Sequence, residues 1–285
     1  MALTDRAYLR SLLERHGFTF SKAMGQNFLI NPSVCPRMAE LGGARMGAGV
    51  LEIGPGVGVL TAELAHRAEK VVCIELDKRL PPILAETLEG FTNVEIILGD
   101  VMKVNLEEIL AEHFAGIPVS VCANLPYYIT TPIIMRLLEA RLPIEAITVM
   151  VQKEAAIRLC AAPGERECGA ISAAIAYYSE PKLLFSVSAG SFMPAPNVDS
   201  AVIRLDIRKT PPVQTLDEAF MFNVVRGAFS QRRKTVLNAL SAALSLPKEK
   251  VAACLAECGL DLNVRAERLT LPQIASLSDA LLNKR

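Results

Sequence analysis

The spacing of apolar and polar positions changes several times along this chain, and each change marks an element. From Val50 onward, short β-rich apolar runs alternate with stretches of helical period. "VLEIG" (50–54) precedes "VLTAELAHRA", "KVVCIEL" (70–76) precedes a segment around "ILAETLEG", and "VEIILGD" (94–100) precedes "NLEEILAEHF". "PVSVCAN" (118–124) precedes "TPIIMRLLEA", and "EAITVMVQ" (145–152) precedes "KEAAIRLCAA". Runs this uniformly apolar predict strands buried on both faces, hence a parallel sheet covered by helices. Right-handed crossovers then make it a doubly wound, Rossmann-like α/β sheet. After "GAISAAIAYYSE", two further β-like runs, "KLLFSVSAG" and "SAVIRLDIR", are joined closely through "SFMPAPNV". That short connection predicts an antiparallel edge region.

The pattern changes for good at "RKTPPV" (208–213), where paired prolines stiffen the backbone. Beyond it, "LDEAFMFNVVRGAF", "RRKTVLNALSAAL", "KEKVAACLAECG" and "LPQIASLSDALL" have helical period and no strand run. Two domains are expected: residues 1–208, with an N-terminal helical segment, and a small all-helical domain at 209–285. The N-terminal stretch "MALTDRAYLRSLLERHGF" mixes acids and bases without the apolar centre of a signal peptide, and it reads as a short amphipathic helix. No apolar run approaches the roughly 18–20 residues that span a bilayer. A cytoplasmic chain without a membrane partner is the expectation.

Composition adds less. The chain has 285 residues, of which 51% are hydrophobic and seven are cysteines. The cysteines are scattered and form no C-x-x-C pair, and His16, His66 and His113 share no ligand spacing, so neither disulfides nor a metal site is expected. The net charge of zero hides an asymmetry. Residues 1–203 carry 17 Lys+Arg against 22 Asp+Glu, and residues 204–285 carry 13 against 8. An acidic body with a basic C-terminal region predicts a localised anion-binding face. No long apolar face is left unexplained, so a monomer is expected.

Candidate chemistry begins at "LEIGPGVGVLT". Gly54, Gly56 and Gly58 lie between the first strand and the first helix, where a tight turn brings backbone against a ligand. Glu75 ends the next strand, about 20 residues on, where a carboxylate accepts ribose hydroxyls. The dinucleotide fingerprint would need glycine at position 59, and Val59 stands there. A pyrophosphate is therefore less favoured than an adenosine carrying a short amino-acid tail. Asp100 ends the third strand, where it either accepts from an adenine amino group or caps the following segment. Carboxylates at both strand ends also suit a cationic sulfonium. The pattern resembles S-adenosyl-L-methionine (SAM)-dependent methyltransferases.

The stretch "NLPYY" (124–128) follows an apolar run and ends a strand with an amide, a proline and paired aromatics. It is similar to the [N/D/S]-[I/L/P]-P-[Y/F] motif of amino-methyltransferases acting on nucleic-acid bases. An adenine N6 is a poor nucleophile because its lone pair is delocalised into the ring. Acceptors on the Asn124 side chain and the Leu125 carbonyl would grip both amino hydrogens, with Pro126 fixing the turn and Tyr127 stacking on the base. Such a base must be splayed out of its stack.

"SKAMGQNFLI", "FMPAPNVDSAVIRL" and "SQRRKTVLNAL" extend the likeness over nearly the whole chain, in order. The chain resembles the rRNA adenine dimethyltransferase family, in its bacterial 16S branch. The resemblance implies N6,N6-dimethylation of two adjacent adenines in a 3′-terminal hairpin loop of small-subunit rRNA, late in assembly of that subunit. It also implies that Asn27 and Leu29 line the SAM pocket with Gly54, Gly56, Glu75, Asp100 and Asn124. Leu125, Tyr127 and Phe192 would hold the base with Asn124, although Phe192 also reads as an apolar anchor of its strand. Arg232, Arg233 and Lys234, with Arg226, Arg204 and Arg208 near in sequence, either contact RNA phosphates or form surface ion pairs.

Three rival readings share parts of this pattern. The 23S rRNA adenine methylases of macrolide resistance have the same corner, but "RRKTVLNAL" and "FMPAPNVDSAVIRL" fit the small-subunit branch better. A non-catalytic RNA-binding assembly or transcription factor on this fold is opposed by the intact Glu75, Asp100 and Asn124. A nicotinamide dehydrogenase is opposed by Val59 and by the lack of a His or Lys in a hydride-transfer setting.

Overall fold

The computed structural model describes residues 3–21 and 25–284. Lys22 and Met24 of the "SKAMGQNFLI" segment lie outside them. Nine strands occur among the described residues: β1 (Phe28–Leu29), β2 (Gly49–Ile53), β3 (Lys70–Glu75), β4 (Val94–Leu98), β5 (Val119–Asn124), β6 (Ala146–Gln152), β7 (Ser179–Val187), β8 (Phe192–Met193) and β9 (Ser200–Ile207). Seven of them form one sheet in the order β4-β3-β2-β5-β6-β9-β7. The β4–β3, β3–β2, β2–β5 and β5–β6 pairs are parallel, and β9 is antiparallel to β6. The parallel sheet and its antiparallel edge are as the apolar runs predict.

Every side chain of β2 is buried, as is every one of β6 except the last. At roughly 1.5–3 kcal/mol for each large aliphatic side chain taken from water, these central strands anchor the sheet. β4 departs from the expectation of burial on both faces. It is an edge strand whose Glu95 and Leu98 are exposed. The chain enters at β2, runs outward through β3 and β4, then crosses back to β5. Strand order therefore reverses between β2 and β5, and a crevice opens at their carboxyl ends.

Helices follow the strands as the periodicity predicts. Arg6–Arg15 is capped by Asp5, whose carboxylate accepts the Tyr8 N–H at 2.8 Å. A helix at Thr130–Glu139 follows β5 and buries Ile133, Ile134, Leu137 and Leu138. Of the described residues, no helix is long and apolar enough to cross a membrane.

Two compact units result: residues 1–156 with 182–207, and residues 157–181 with 208–285. The second unit thus includes 157–181 as well as the expected helical region. The helix at Ala170–Tyr178 explains why. Its Ala173 and Tyr177 share a core cluster with Phe220, Val224, Leu240 and Leu277. Phe220 and Val224 lie on Glu218–Phe229, Leu240 on Val236–Leu244 and Leu277 on Leu271–Asn283.

Candidate active site

At the carboxyl ends of β2, β3 and β5, an open cleft lies within the sheet-bearing unit. Its construction begins with the turn after β2. Gly54 and Gly56 have φ of +70° and +59°, a left-handed conformation that a side chain resists. A Cβ at Gly56 would also stand 3.2 Å from the Phe28 ring. Gly54 lines the cleft; Gly56 does not. The Gly56 amide instead faces the carboxylate of Glu75.

Glu75, at the end of β3, lines the cleft while only 5% exposed. Its Oε1 accepts the Asp77 N–H at 2.7 Å, and the Leu76 and Gly56 amides face it as well. Burial raises its pKa above the ordinary carboxylate value, and these amides work in the opposite direction. Backbone donors thus orient the acceptor expected for a ribose. Next to it, Leu76 is 53% exposed and lines the cleft, as does the buried Val101 beyond Gly99 and Asp100. These apolar side chains, which motif reading passed over, add an apolar part to the cleft lining. Asp100 lines the cleft and also accepts the Met102 N–H at 2.9 Å, which closes the turn after β4, while Asn105 caps the next helix.

Sequence reasoning also missed the polar group that fastens the N-terminal segment here. Gln26 Nε2 donates to Asp77 Oδ2 at 2.8 Å. Arg79 grips the same carboxylate through Nε at 2.9 Å and Nη2 at 2.6 Å, and it donates to the Thr19 carbonyl. The Arg79 guanidinium beside Asp77 pulls that carboxyl down to about 2. "IELD" placed an acid two residues beyond Glu75, but nothing local paired it with Gln26, 51 positions away.

Asn27 lines the cleft as expected, with its Nδ2 donating to the Gly25 carbonyl at 3.1 Å. Leu29 does not. Side chains alternate along a strand, so Phe28 reaches the cleft while Leu29 joins a core cluster with Val34, Met38 and Phe192. Leu29 pairs directly with Phe192 in the β1–β8 ladder. Its contribution is therefore to seat Phe192, which is 2% exposed yet lines the cleft, so anchor and lining roles coincide there.

The corner after β5 completes the site. Asn124, Leu125, Pro126, Tyr127 and Tyr128 all line the cleft. The Pro126 carbonyl accepts from the Ile129 N–H at 3.2 Å and the Thr130 hydroxyl at 3.0 Å, closing a tight turn into the helix. Gly25 packs against this turn: a Cβ there would lie 3.2 Å from Pro126 and 3.5 Å from the Tyr128 ring. The Tyr127 hydroxyl is 2.7 Å from Ser200 Oγ, and burial raises the phenol's pKa. The cleft thus combines an amide and aromatic faces with two carboxylates on neighbouring strand ends.

The basic residues divide. Arg232, Arg233 and Lys234 form an exposed turn between the helices Glu218–Phe229 and Val236–Leu244, and Arg226 is exposed, with Nη2 2.6 Å from Asn223 Oδ1. Arg204 and Arg208, read as further members of that group, are spent internally. Arg204 bonds Asp206 and the Leu41 carbonyl, and Arg208 bonds Glu180 and the carbonyls of Ala176 and Ser179. Among the described residues, no cluster of His, Cys, Asp and Glu is arranged to hold a metal ion.

The ribosomal RNA adenine dimethylase family matches residues 17–283 of this chain. The sequence is 49% identical over 278 residues to ribosomal RNA small subunit methyltransferase A of Geobacillus sp. (strain WCH70), covering 95% of each chain. It is 47% identical over 276 residues to the protein of the same name from Anoxybacillus flavithermus (strain DSM 21510 / WK1), covering 95% of this chain and 94% of that one. Among solved structures, the 23S rRNA methyltransferase ErmE is similar with a TM-score of 0.70 at 29% identity, over 90% of this chain and 99% of that chain. A dimethyladenosine transferase from Plasmodium falciparum reaches a TM-score of 0.70 at 25% identity, over 88% of this chain and 95% of that chain.

Proposed function

The chain belongs to the ribosomal RNA adenine dimethylase family, and from that premise we propose that it transfers methyl groups from SAM to N6 of two adjacent adenines in a 3′-terminal hairpin loop of 16S rRNA. It does so in the cytoplasm, as a monomer, on the assembling small subunit. The observation that carries the reading is one cleft lined by both sets of groups: Glu75 and Asp100 together with Asn124, Tyr127 and Phe192.

The acceptor groups lining the cleft fit the cofactor. The Glu75 carboxylate, already oriented by backbone amides, would accept the ribose hydroxyls and Asp100 the adenine amino group, with the apolar Leu76 and Val101 in the same cleft lining. Bound SAM supplies an electrophilic methyl group on a sulfonium. The protein's own part is to present the amine. The Asn124 side-chain oxygen and the Leu125 carbonyl accept the two N6 hydrogens and draw the nitrogen out of conjugation. Tyr127 and Phe192 hold the ring so that nitrogen faces the donor, which is catalysis by positioning. The nitrogen sheds its proton to solvent after transfer, so no strong general base is required. Arg226, Arg232, Arg233 and Lys234 meet phosphates of the rRNA.

ErmE, a 23S rRNA methyltransferase, shares the fold at a TM-score of 0.70, so fold likeness by itself does not select a small-subunit substrate. The 49% identity to a small-subunit methyltransferase favours that substrate. Tritium transfer from labelled SAM to unmethylated small subunits and, in parallel, to large-subunit RNA, each followed by nucleoside analysis, is the test. N6,N6-dimethyladenosine at adjacent loop adenines is expected. Label confined to large-subunit RNA, or no transfer with SAM bound, would overturn the reading.

A further inference from the structure

The two tyrosines of the corner differ sharply. Tyr128 is 65% exposed, whereas Tyr127 is partly buried and its hydroxyl is held at 2.7 Å by Ser200. Ser200 is fully buried and opens β9, opposite Gln152 of β6. The residue before it is as firmly placed. The Asp199 carbonyl accepts the Lys153 N–H at 3.0 Å, and Asp199 Oδ1 accepts the Ala189 N–H at 3.0 Å. Ala189 precedes Phe192 and Asp199 follows it, so this second bond closes the base of the loop that carries Phe192. The start of β9 therefore touches both aromatic jaws of the cleft: Tyr127 directly, and Phe192 through its loop.

We infer that Ser200 is a positioning residue for the target adenine: its hydroxyl fixes the plane of the Tyr127 ring against the Phe192 loop and so sets the slot that receives the base. This rests on the base-clamp role proposed for Tyr127. A tyrosine ring is free to turn about its side-chain torsions unless packing or a bond stops it. Here only part of the ring is covered, and the phenol is the one polar handle by which a fixed strand can hold it. Both hydroxyls can donate or accept, so the bond forms in either sense. Ser200 never touches substrate; it acts through Tyr127.

The experiment compares Ser200→Ala, Tyr127→Phe and the double variant for methyl transfer to unmethylated small subunits, alongside SAM binding. Loss of this bond should lower kcat about 3- to 10-fold, leave KM for the particle unchanged, and keep the SAM Kd within about two-fold. Tyr127→Phe should match Ser200→Ala, and the double variant should be no worse than either, because all three break the same bond. Multiplied losses in the double variant, or wild-type kcat in Ser200→Ala, would overturn the inference. If Ser200→Ala fails to fold, Tyr127→Phe keeps the ring and removes the bond, and full turnover by that variant is equally fatal. Tyr127→Ala separates the two levels: wild-type activity there refutes the clamp itself, whereas failure of Ser200→Ala to act refutes only the positioning.

Discussion

Replacing Glu75 with glutamine tests the cofactor half of the cleft with little change of shape. The native carboxylate accepts the Asp77 N–H at 2.7 Å and faces two more backbone amides, so it is held as an acceptor-only group in a nearly closed site. Glutamine removes the charge and substitutes an N–H₂ donor for one oxygen, which then opposes donors. Hydrogen bonds to a charged group are worth about 1.5–3 kcal/mol. At about 1.4 kcal/mol per tenfold, the SAM Kd should rise about 10- to 150-fold. Isothermal titration calorimetry with SAM and S-adenosyl-L-homocysteine measures this, with thermal unfolding as the check that the variant is folded. The pH dependence has a definite sign. Burial raises the pKa of Glu75, so its acceptor is lost at a higher pH than for an exposed glutamate. Wild-type affinity should therefore weaken as pH falls, whereas the variant should not show that component. A Kd within about two-fold of wild type, or an unaltered pH profile, would refute the ribose role.

Asn124→Ala should reduce methyl transfer by at least about 100-fold, comparable to loss of a preorganised catalytic hydrogen-bonding group, while SAM affinity stays within about three-fold; substantial residual turnover would remove Asn124 from the amine grip. Reversing Arg232 and Arg233 to glutamate should weaken particle binding and flatten its dependence on log salt by about two, read from filter binding at several ionic strengths. The buried Glu52, to which the Cys73 thiol donates at 3.4 Å, has its pKa pushed up to about 7 by burial. A raised carboxyl pKa stabilises the fold at low pH, and that stability is lost as pH rises through about 7. Urea unfolding should show a loss of about 2 kcal/mol from this group between pH 5.5 and 8.5, absent in Glu52→Gln; equal slopes would contradict its buried titration.

What the sequence determined by itself is what local spacing reports. A strand covered on both faces must be apolar throughout, so β2, β3, β5 and β6 announce themselves, and the parallel sheet follows. Motif positions at strand ends are equally visible, since a carboxylate or amide closing an apolar run has no packing reason to be there. Glu75, Asp100 and Asn124 were found on that ground, Gly54 from its turn and Phe192 from the family resemblance, and all line the cleft. Leu29 was misplaced because two adjacent apolar residues do not declare which of them faces inward in a two-residue strand; its pairing with Phe192 decides that. Arg204 and Arg208 look like phosphate ligands until the fold brings acids and carbonyls to them. Nothing local in residues 157–181 ties them to the later helices; packing of Ala173 and Tyr177 with Phe220 and Leu277 assigns them to that unit. Gln26 meets Asp77 across 51 positions and Tyr127 meets Ser200 across 73. Such contacts depend on which strand crosses beside which, and that information resides in the closed chain rather than in any window of it.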